Sequence, residues 1–339
     1  MKKKIMITGV AGFIGSNVCK SLLNKGYHIV GIDNLSQSDG KNMNEFIENP
    51  NFEFYRIDIM NESSIVRAAH GVSGIIHMAA YKIPRYSDAL DTLKINGLGS
   101  ENLVKAAIEN NARLVAASTS DVYGMNPDLP FAEDTSNLVM GGPKVRRWAY
   151  AISKMFEEQM IYAYGERMNL DFAIIRFFGG YGPNQNLTWW GGPQSVFINK
   201  ALDNEEIEVH GDGQQTRSFT FVSDHVDGVT RCLEVPKARG EVFNIGNDRE
   251  ITIENLAKMI WKMIRPNEAP KIKLIPYATF GKYQDVMRRI PDLTKSREIL
   301  GFEPKIPLEQ GLIQAIEWQI KRRRELGMPE PKEGCAIKA

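Results

Sequence analysis

Tyr150 and Lys154 stand four positions apart in a stretch, 150–167, whose apolar spacing predicts a helix, so the two side chains share one face. A phenol beside an ammonium can do acid–base work. The cation favours the phenolate and lowers a pKa that is ordinarily about 10. Such a phenolate takes the proton of a hydroxyl while hydride leaves the same carbon. A second polar cluster, Ser118-Thr119-Ser120-Asp121-Val122-Tyr123-Gly124, follows an apolar run. There Thr119 can hydrogen-bond the reacting oxygen, and Asp121 adds an ionisable group beside it. Both residue types also serve in caps and turns, so a purely structural Asp121 stays open. Tyr-x-x-x-Lys recurs by chance, and its weight here comes from its position after five strand–helix units.

A hydride acceptor is indicated near the amino terminus. The first strand, 4–7, runs into Thr8-Gly9-Val10-Ala11-Gly12-Phe13-Ile14-Gly15, and a helix follows. In this pattern Gly9 permits the tight turn, Gly12 lets the backbone approach a pyrophosphate, and Gly15 allows close helix–sheet packing. Phe13 and Ile14 open the helix, whose free N–H groups and positive dipole end face the phosphates. Asp33, followed by Asn34, closes the second strand, where it can accept from both ribose hydroxyls. A carboxylate there repels a 2′-phosphate, so the expected cofactor is NAD rather than NADP. Asp58-Ile59 closes the third strand, where a carboxylate can meet the adenine. His77-Met78-Ala79-Ala80 closes the fourth with small residues that leave room for cofactor. Each of these last two also reads as an ordinary strand end.

The elements that must hold these residues are repeated strand–helix units. Strands are expected at 4–7, 28–32, 52–57, 74–77, 113–118 and 172–177, with helices at 13–25, 90–110 and 150–167. The fold class is therefore α/β, a doubly wound parallel sheet of Rossmann type. Residues 1–178 make the NAD-binding domain, joined by about 216–246 as a further strand–helix–strand. Residues 179–339 are mainly a smaller C-terminal substrate-binding lobe, with a loose tail from about Gly327.

Composition narrows the function classes. The chain has 339 residues, a formal charge of +1 and 43% hydrophobic residues. That supplies a large core and argues against a dedicated nucleic-acid binder. The basic runs Lys2-Lys3-Lys4 and Arg322-Arg323-Arg324 read as solvated ends. Cys19, Cys232 and Cys335 form no metal spacing, so no metal is expected and a reducing compartment is the simplest reading. The apolar run after Lys4 is too short for a signal peptide, and none reaches a membrane span. The reading is soluble and cytoplasmic, without a membrane partner.

Together the residues from Thr8 to Gly15, Asp58-Ile59, His77 to Ala80, Asn96, Thr119 to Gly124, Tyr150 and Lys154, Arg176 to Pro183, and Gly211 to Arg217 carry a resemblance over nearly the whole chain. The chain resembles the extended short-chain dehydrogenase/reductases, in the branch that epimerises, dehydrates or decarboxylates nucleotide sugars. The resemblance implies that Tyr150 is the base, that Lys154 orients the nicotinamide ribose, that Thr119 supports the substrate oxygen and that Asn96 holds backbone near the site. It implies an NAD that stays bound and is recycled, a nucleoside-diphosphate sugar, a transient 4-keto intermediate and a homodimer built on the helices near 90–110 and 150–167.

Asp121, two residues after Thr119, tips the expectation toward a lyase, either a 4,6-dehydratase or a glucuronate-type decarboxylase; the alternative is a UDP-sugar 4-epimerase. A non-catalytic NAD-dependent sensor is the remote alternative, disfavoured by the intact Tyr/Lys pair. The expected substrate contacts are Ser120, Arg147, Gly179, Val209, Arg217 and Arg289. Arg217 is the candidate for the diphosphate, Val209-His210 flanks the nucleobase, and Arg147 and Arg289 can fork onto a carboxylate or diphosphate. Arg289 lies in Tyr283-Gln284-Asp285-Val286-Met287-Arg288-Arg289-Ile290-Pro291-Asp292, a run similar to that of the decarboxylases. Gly179 stands where much of the branch has asparagine, and Asp121 where the decarboxylases more often have Glu. Trp189-Trp190 can cover a sugar, face a second copy or simply pack.

Overall fold

The computed structural model describes residues 3–82, 88–280 and 284–337; Lys2 and Tyr283 lie outside them. In the first half the strands β1 (Lys4–Thr8), β2 (His28–Asp33), β3 (Phe52–Arg56), β4 (Gly74–His77), β5 (Arg113–Thr119) and β6 (Phe172–Phe177) alternate with helices. These are α1 (Phe13–Asn24), α2 (Glu62–Ala68), α3 (Ala89–Lys94), α4 (Ser100–Glu109) and α5 (Trp148–Met168). The expected single helix at 90–110 is α3 and α4 joined by a π turn, Ile95–Gly99. Central strands are mostly apolar, as burial on both faces favours, with His77 and Arg176 the buried polar exceptions near the ends of β4 and β6.

The second half adds β7 (Gly180–Tyr181), α6 (Pro193–Leu202), β8 (Ile207–His210), β9 (Thr216–Ser218), β10 (Thr220–Phe221), α7 (Val222–Glu234) and β11 (Glu241–Ile245). It ends with β12 (Glu250–Thr252), α8 (Ile253–Ile264), β13 (Ile272–Ile275) and α9 (Leu308–Glu325). The main sheet runs β11-β6-β5-β4-β1-β2-β3, all parallel. Strand order reverses between β1 and β4, and there the crevice opens at the carboxyl ends. Of the stretch 216–246, α7 covers the sheet and β11 joins it. β9 and β10 instead pair with β12 and β7, outside the main sheet.

One face of the sheet packs on α1 and α7 through Val18, Leu22, Val229 and Cys232. The other packs on α2, α4 and α5 through Ile65, Leu103, Ala107 and Ile161. The second lobe has its own core, in which α6, α8 and α9 meet through Phe197, Trp261 and Leu312. The tail is docked on it rather than loose. Lys332 N–H donates to the Leu202 carbonyl at 2.8 Å and Ala336 N–H to the Ile264 carbonyl at 2.8 Å. The reason is Arg265, a fully buried guanidinium that donates to the carbonyls of Ala201 (2.7 Å) and Glu333 (2.7 Å). A charge so placed must have its donors satisfied, and the tail supplies part of the acceptors. Among the described residues no helix is long and apolar enough to cross a membrane.

Candidate active site

A cleft of about 1020 Å³ lies over the carboxyl ends of the strands, between the two lobes. At its amino-terminal end the wall is backbone. Gly9 has φ +69°, and a Cβ there would meet the Ala79 nitrogen at 2.8 Å. A Cβ on Gly15 would collide with the Gly9 carbonyl oxygen, and one on Gly12 would lie 3.1 Å from that oxygen. Gly12 caps α1 without a side-chain acceptor, so the first-turn N–H groups at Phe13, Ile14 and Gly15 receive no side-chain cap. A pyrophosphate fits such a cradle. Gly9, Gly12, Phe13, Ile14, Gly15, Met78 and Ala80 all line the cleft.

Other residues expected here stand behind that wall. Asp33 accepts from Ala11 N–H (3.1 Å) and Leu35 N–H (2.9 Å), and burial pushes its carboxyl up, against those two bonds. Each oxygen keeps a further lone pair for a ribose hydroxyl. Asn34 donates to Asp58 at 2.9 Å, while Ile59 is buried beneath Gly99. Ala79 N–H donates to Thr8 Oγ1 at 3.2 Å. Asn96, in the π turn, accepts from Tyr81 N–H (2.8 Å) and donates to the Tyr81 carbonyl (3.1 Å), so it clamps the loop after β4.

At the other end the wall is charge. Thr119, Ser120, Asp121, Arg147, Tyr150, Arg217, Asp285 and Arg289 line it. Thr119 Oγ1 accepts from Asp121 N–H at 3.2 Å and thereby caps the turn that presents the carboxylate. Arg289 lies 2.9 Å from Asp121 Oδ1 and donates to Ser120 Oγ at 3.2 Å; Arg147 is 3.4 Å from the same carboxylate. Burial raises the Asp121 pKa, but Arg289, Arg147 and Arg217 outweigh it and hold the group below the usual carboxylate range. Asp285 bridges Arg147 (2.8 Å) and Arg217 (2.9 Å) and accepts from Tyr277. It too is held well below its ordinary range, its burial outweighed by the same two arginines.

Below this end, Arg176 forks onto Glu158 at 3.0 and 2.7 Å, and Ser118 donates to the same carboxylate. This buried pair ties β5, β6 and α5 together, which fixes Thr119 relative to Tyr150.

Three expectations need correction. Lys154 does not lie beside the Tyr150 phenol in an arrangement that acidifies it. Its ammonium is buried and paired with Glu157 at 2.7 Å. Burial, Asp121 and Glu157 all push the Tyr150 pKa well up. Val209 does not face the cleft either: it is fully buried in the second core, and its strand neighbour His210 lines the cleft, stacked on Trp189 at 4.8 Å. Strand alternation separates the two. Finally, Gly179 lines the cleft at φ +33°, and a Cβ there would collide with the Ser218 carbonyl oxygen. The backbone occupies the space of an asparagine side chain, so that substrate contact is absent.

Sequence reasoning missed Asp285, although it lies in a run already singled out. Its partners Arg147 and Arg217 are too distant in sequence for spacing to reveal the bridge. Trp189 also packs on Phe197, and Trp190 meets Tyr81 edge-on at 6.5 Å. Among the described residues no group of His, Cys, Asp and Glu could hold a metal ion.

The comparisons with known proteins agree on one group. The chain is 32% identical over 322 residues to a UDP-N-acetyl-alpha-D-glucosaminuronate decarboxylase of Bacillus cytotoxicus, covering 94% of this chain and 98% of the other. It is 35% identical to UDP-glucuronic acid decarboxylase 4 of Arabidopsis thaliana over 91% of this chain and 67% of that one. The fold matches the UDP-glucuronic acid 4-epimerase of Bacillus cereus, solved with UDP-glucuronic acid and NAD, at TM-score 0.84 and 25% identity, covering 94% and 99%. The family model described as GDP-mannose 4,6 dehydratase matches residues 6–315. The chain belongs to that family, among the NAD-dependent nucleotide-sugar decarboxylases, dehydratases and epimerases.

Proposed function

We propose that the chain decarboxylates a UDP-hexuronate through a transient 4-keto sugar, using a retained NAD+. The observation that carries the reading is the arginine-clamped Asp121 beside Thr119 and Tyr150, in a cleft whose other end is a glycine cradle. The names of two relatives support it, since both are decarboxylases of UDP-hexuronates.

The glycine turn and the α1 N-terminus hold the pyrophosphate, with Asp33 and Asn34 at the ribose and Asp58 and Ile59 at the adenine. Met78, Ala79 and Ala80 border the nicotinamide side, and Asn96 fixes the loop that follows them. When bound, the nicotinamide accepts hydride from C4 of the sugar and later returns it. Arg217 and Arg147 meet the diphosphate, held at the right spacing by Asp285. Thr119 and Tyr150 meet the 4-hydroxyl, with Ser120 and Arg289 beside it. For Tyr150 to remove the proton, Lys154 must turn from Glu157 toward the phenol. The four-residue spacing places it on the right face. The oxidised C4 then makes C5 able to hold the electron pair left by departing carbon dioxide.

Mass spectrometry of the products from UDP-glucuronate, UDP-N-acetylglucosaminuronate and UDP-glucose tests this. Loss of carbon dioxide from a hexuronate is the expected result. Loss of water, or an unchanged mass with inverted C4, would replace it by dehydration or epimerisation.

The same reading includes a homodimer. Leu90 and Leu98, each 53% exposed, and Phe156, 58% exposed, lie with the exposed Leu93 and Ile152 on α3, the π turn and α5, which pack together. Gly97 brings the π turn within contact of Phe156. Such an apolar face needs covering, and sedimentation at micromolar protein tests it: a monomer would remove the claim. The free thiols, two of them buried, fit a cytoplasmic setting.

A further inference from the structure

The proposed decarboxylation, on which this inference rests, leaves one proton without a source. When the C5–C6 bond breaks, its electron pair moves into an enolate across C4 and C5, and C5 must then be protonated. Asp121 is held ionised by its arginines, so it accepts rather than gives. The guanidinium groups of Arg147, Arg217 and Arg289 release no proton in a protein. Tyr150 is committed to the oxygen on C4.

Besides Arg322, a guanidinium paired with Asp39, the cleft holds one further cation among the described residues, Lys82. It directly follows Tyr81, whose N–H and carbonyl are both clamped by Asn96, so the backbone leading into it is held. Its side chain keeps exposed surface inside the cleft. Among the described residues its ammonium has no ion-pair partner within reach, whereas Arg147, Arg217 and Arg289 are each held by a carboxylate. The protein around Lys82 still weakens the charged form, and the charge of Asp121 opposes that. A weakened ammonium is the better proton donor near neutral pH.

We propose that Lys82 is the acid that protonates C5. The Nζ–H bond breaks, a C5–H bond forms, the enolate returns to the 4-keto sugar, and the amine regains its proton from water. Tyr150 and the returning hydride then restore the alcohol at C4.

The test uses the full chain loaded with NAD+ and UDP-glucuronate in heavy water. Wild type should place one deuterium at C5 in a single configuration. Lys82→Ala should lose activity about 10²-fold, release carbon dioxide faster than it forms finished pentose, and be restored by added methylammonium. Lys82→Arg keeps the charge but has no proton it can release, so it should fold as wild type and stay slow. A Lys82→Arg enzyme at the wild-type rate, or a Lys82→Ala enzyme with unchanged rate and single C5 configuration, overturns the role of Lys82 while leaving the decarboxylase reading intact. Wild-type protein that leaves the hexuronate whole overturns the reading of the substrate, and this role with it.

Discussion

The cleft is walled at one end by three glycines from a single short turn, where what matters is the absence of side chains. At the other end, Asp121, Arg147, Arg217, Asp285 and Arg289 converge from four separated stretches, and two carboxylates hold three arginines in one chain of ion pairs, with one positive charge in excess. The first end works by close approach of backbone to ligand, the second by a linked set of charges. Damage to the first should therefore appear in folding and cofactor affinity. Damage to the second should appear in turnover.

The largest effect is expected from Arg289→Ala, which takes the nearest cation from Asp121 and a donor from Ser120. Turnover should fall about 10²- to 10³-fold, with the melting temperature little changed. An unchanged kcat would erase the contrast between the two ends.

Next comes Gly15→Ala. The added methyl meets the Gly9 carbonyl, so about 1–3 kcal/mol of stability should be lost, and NAD should bind more weakly. Urea unfolding and a cofactor titration measure both. Wild-type values would mean that the cradle tolerates side chains.

Glu157→Gln should act more gently. Burial and two carboxylates raise the Tyr150 pKa, so a step that needs the phenolate speeds up as pH rises. Removing one of those charges lowers the pKa and moves the rising limb of the kcat profile to lower pH, by about one unit. A limb that stays in place, or moves up, would detach Tyr150 from that step.

The smallest change is expected outside the cleft. Arg249 and Glu309 form a well-aligned pair, but at the exposed surface. Glu309→Gln should cost less than about 1 kcal/mol in a thermal melt and leave kcat alone. A larger loss would blur the line between charge in the cleft and charge on the surface.

The same division explains what was legible in the sequence. The glycine turn is contiguous, and its pattern reports a local backbone requirement. Strands such as Gly74–His77 and Phe172–Phe177 are largely apolar runs that read to the residue. The second lobe was legible only as a change of character, because its strands have two to four residues and pair in isolated twos. The docked tail was invisible, since a tail rich in Pro, Glu and Gly gives no sign of a buried guanidinium collecting its carbonyls. Tyr150 and Lys154 could be placed on one helix face, but not which neighbour the ammonium would choose. Glu157 sits on that face too, and burial of Lys154 and Glu157 settles the pairing. Likewise, nothing in the string distinguishes Val209 from His210 until the strand's facing is known.

The π turn at Ile95–Gly99 carries a last consequence, one of phase. It accommodates one residue more than the α-helical path, so everything beyond it is rotated by about 100° relative to an unbroken helix. That offset lets Asn96 turn inward to Tyr81 while Leu90 and Leu98 stay on the outside. A substitution within the turn leaves the count unchanged and should be absorbed. Deleting one residue restores the regular repeat and swings α3 out of step with α4. It would unclamp the loop before Lys82 and scatter the exposed leucines in a single move, so this segment should tolerate changes of letter far better than changes of length.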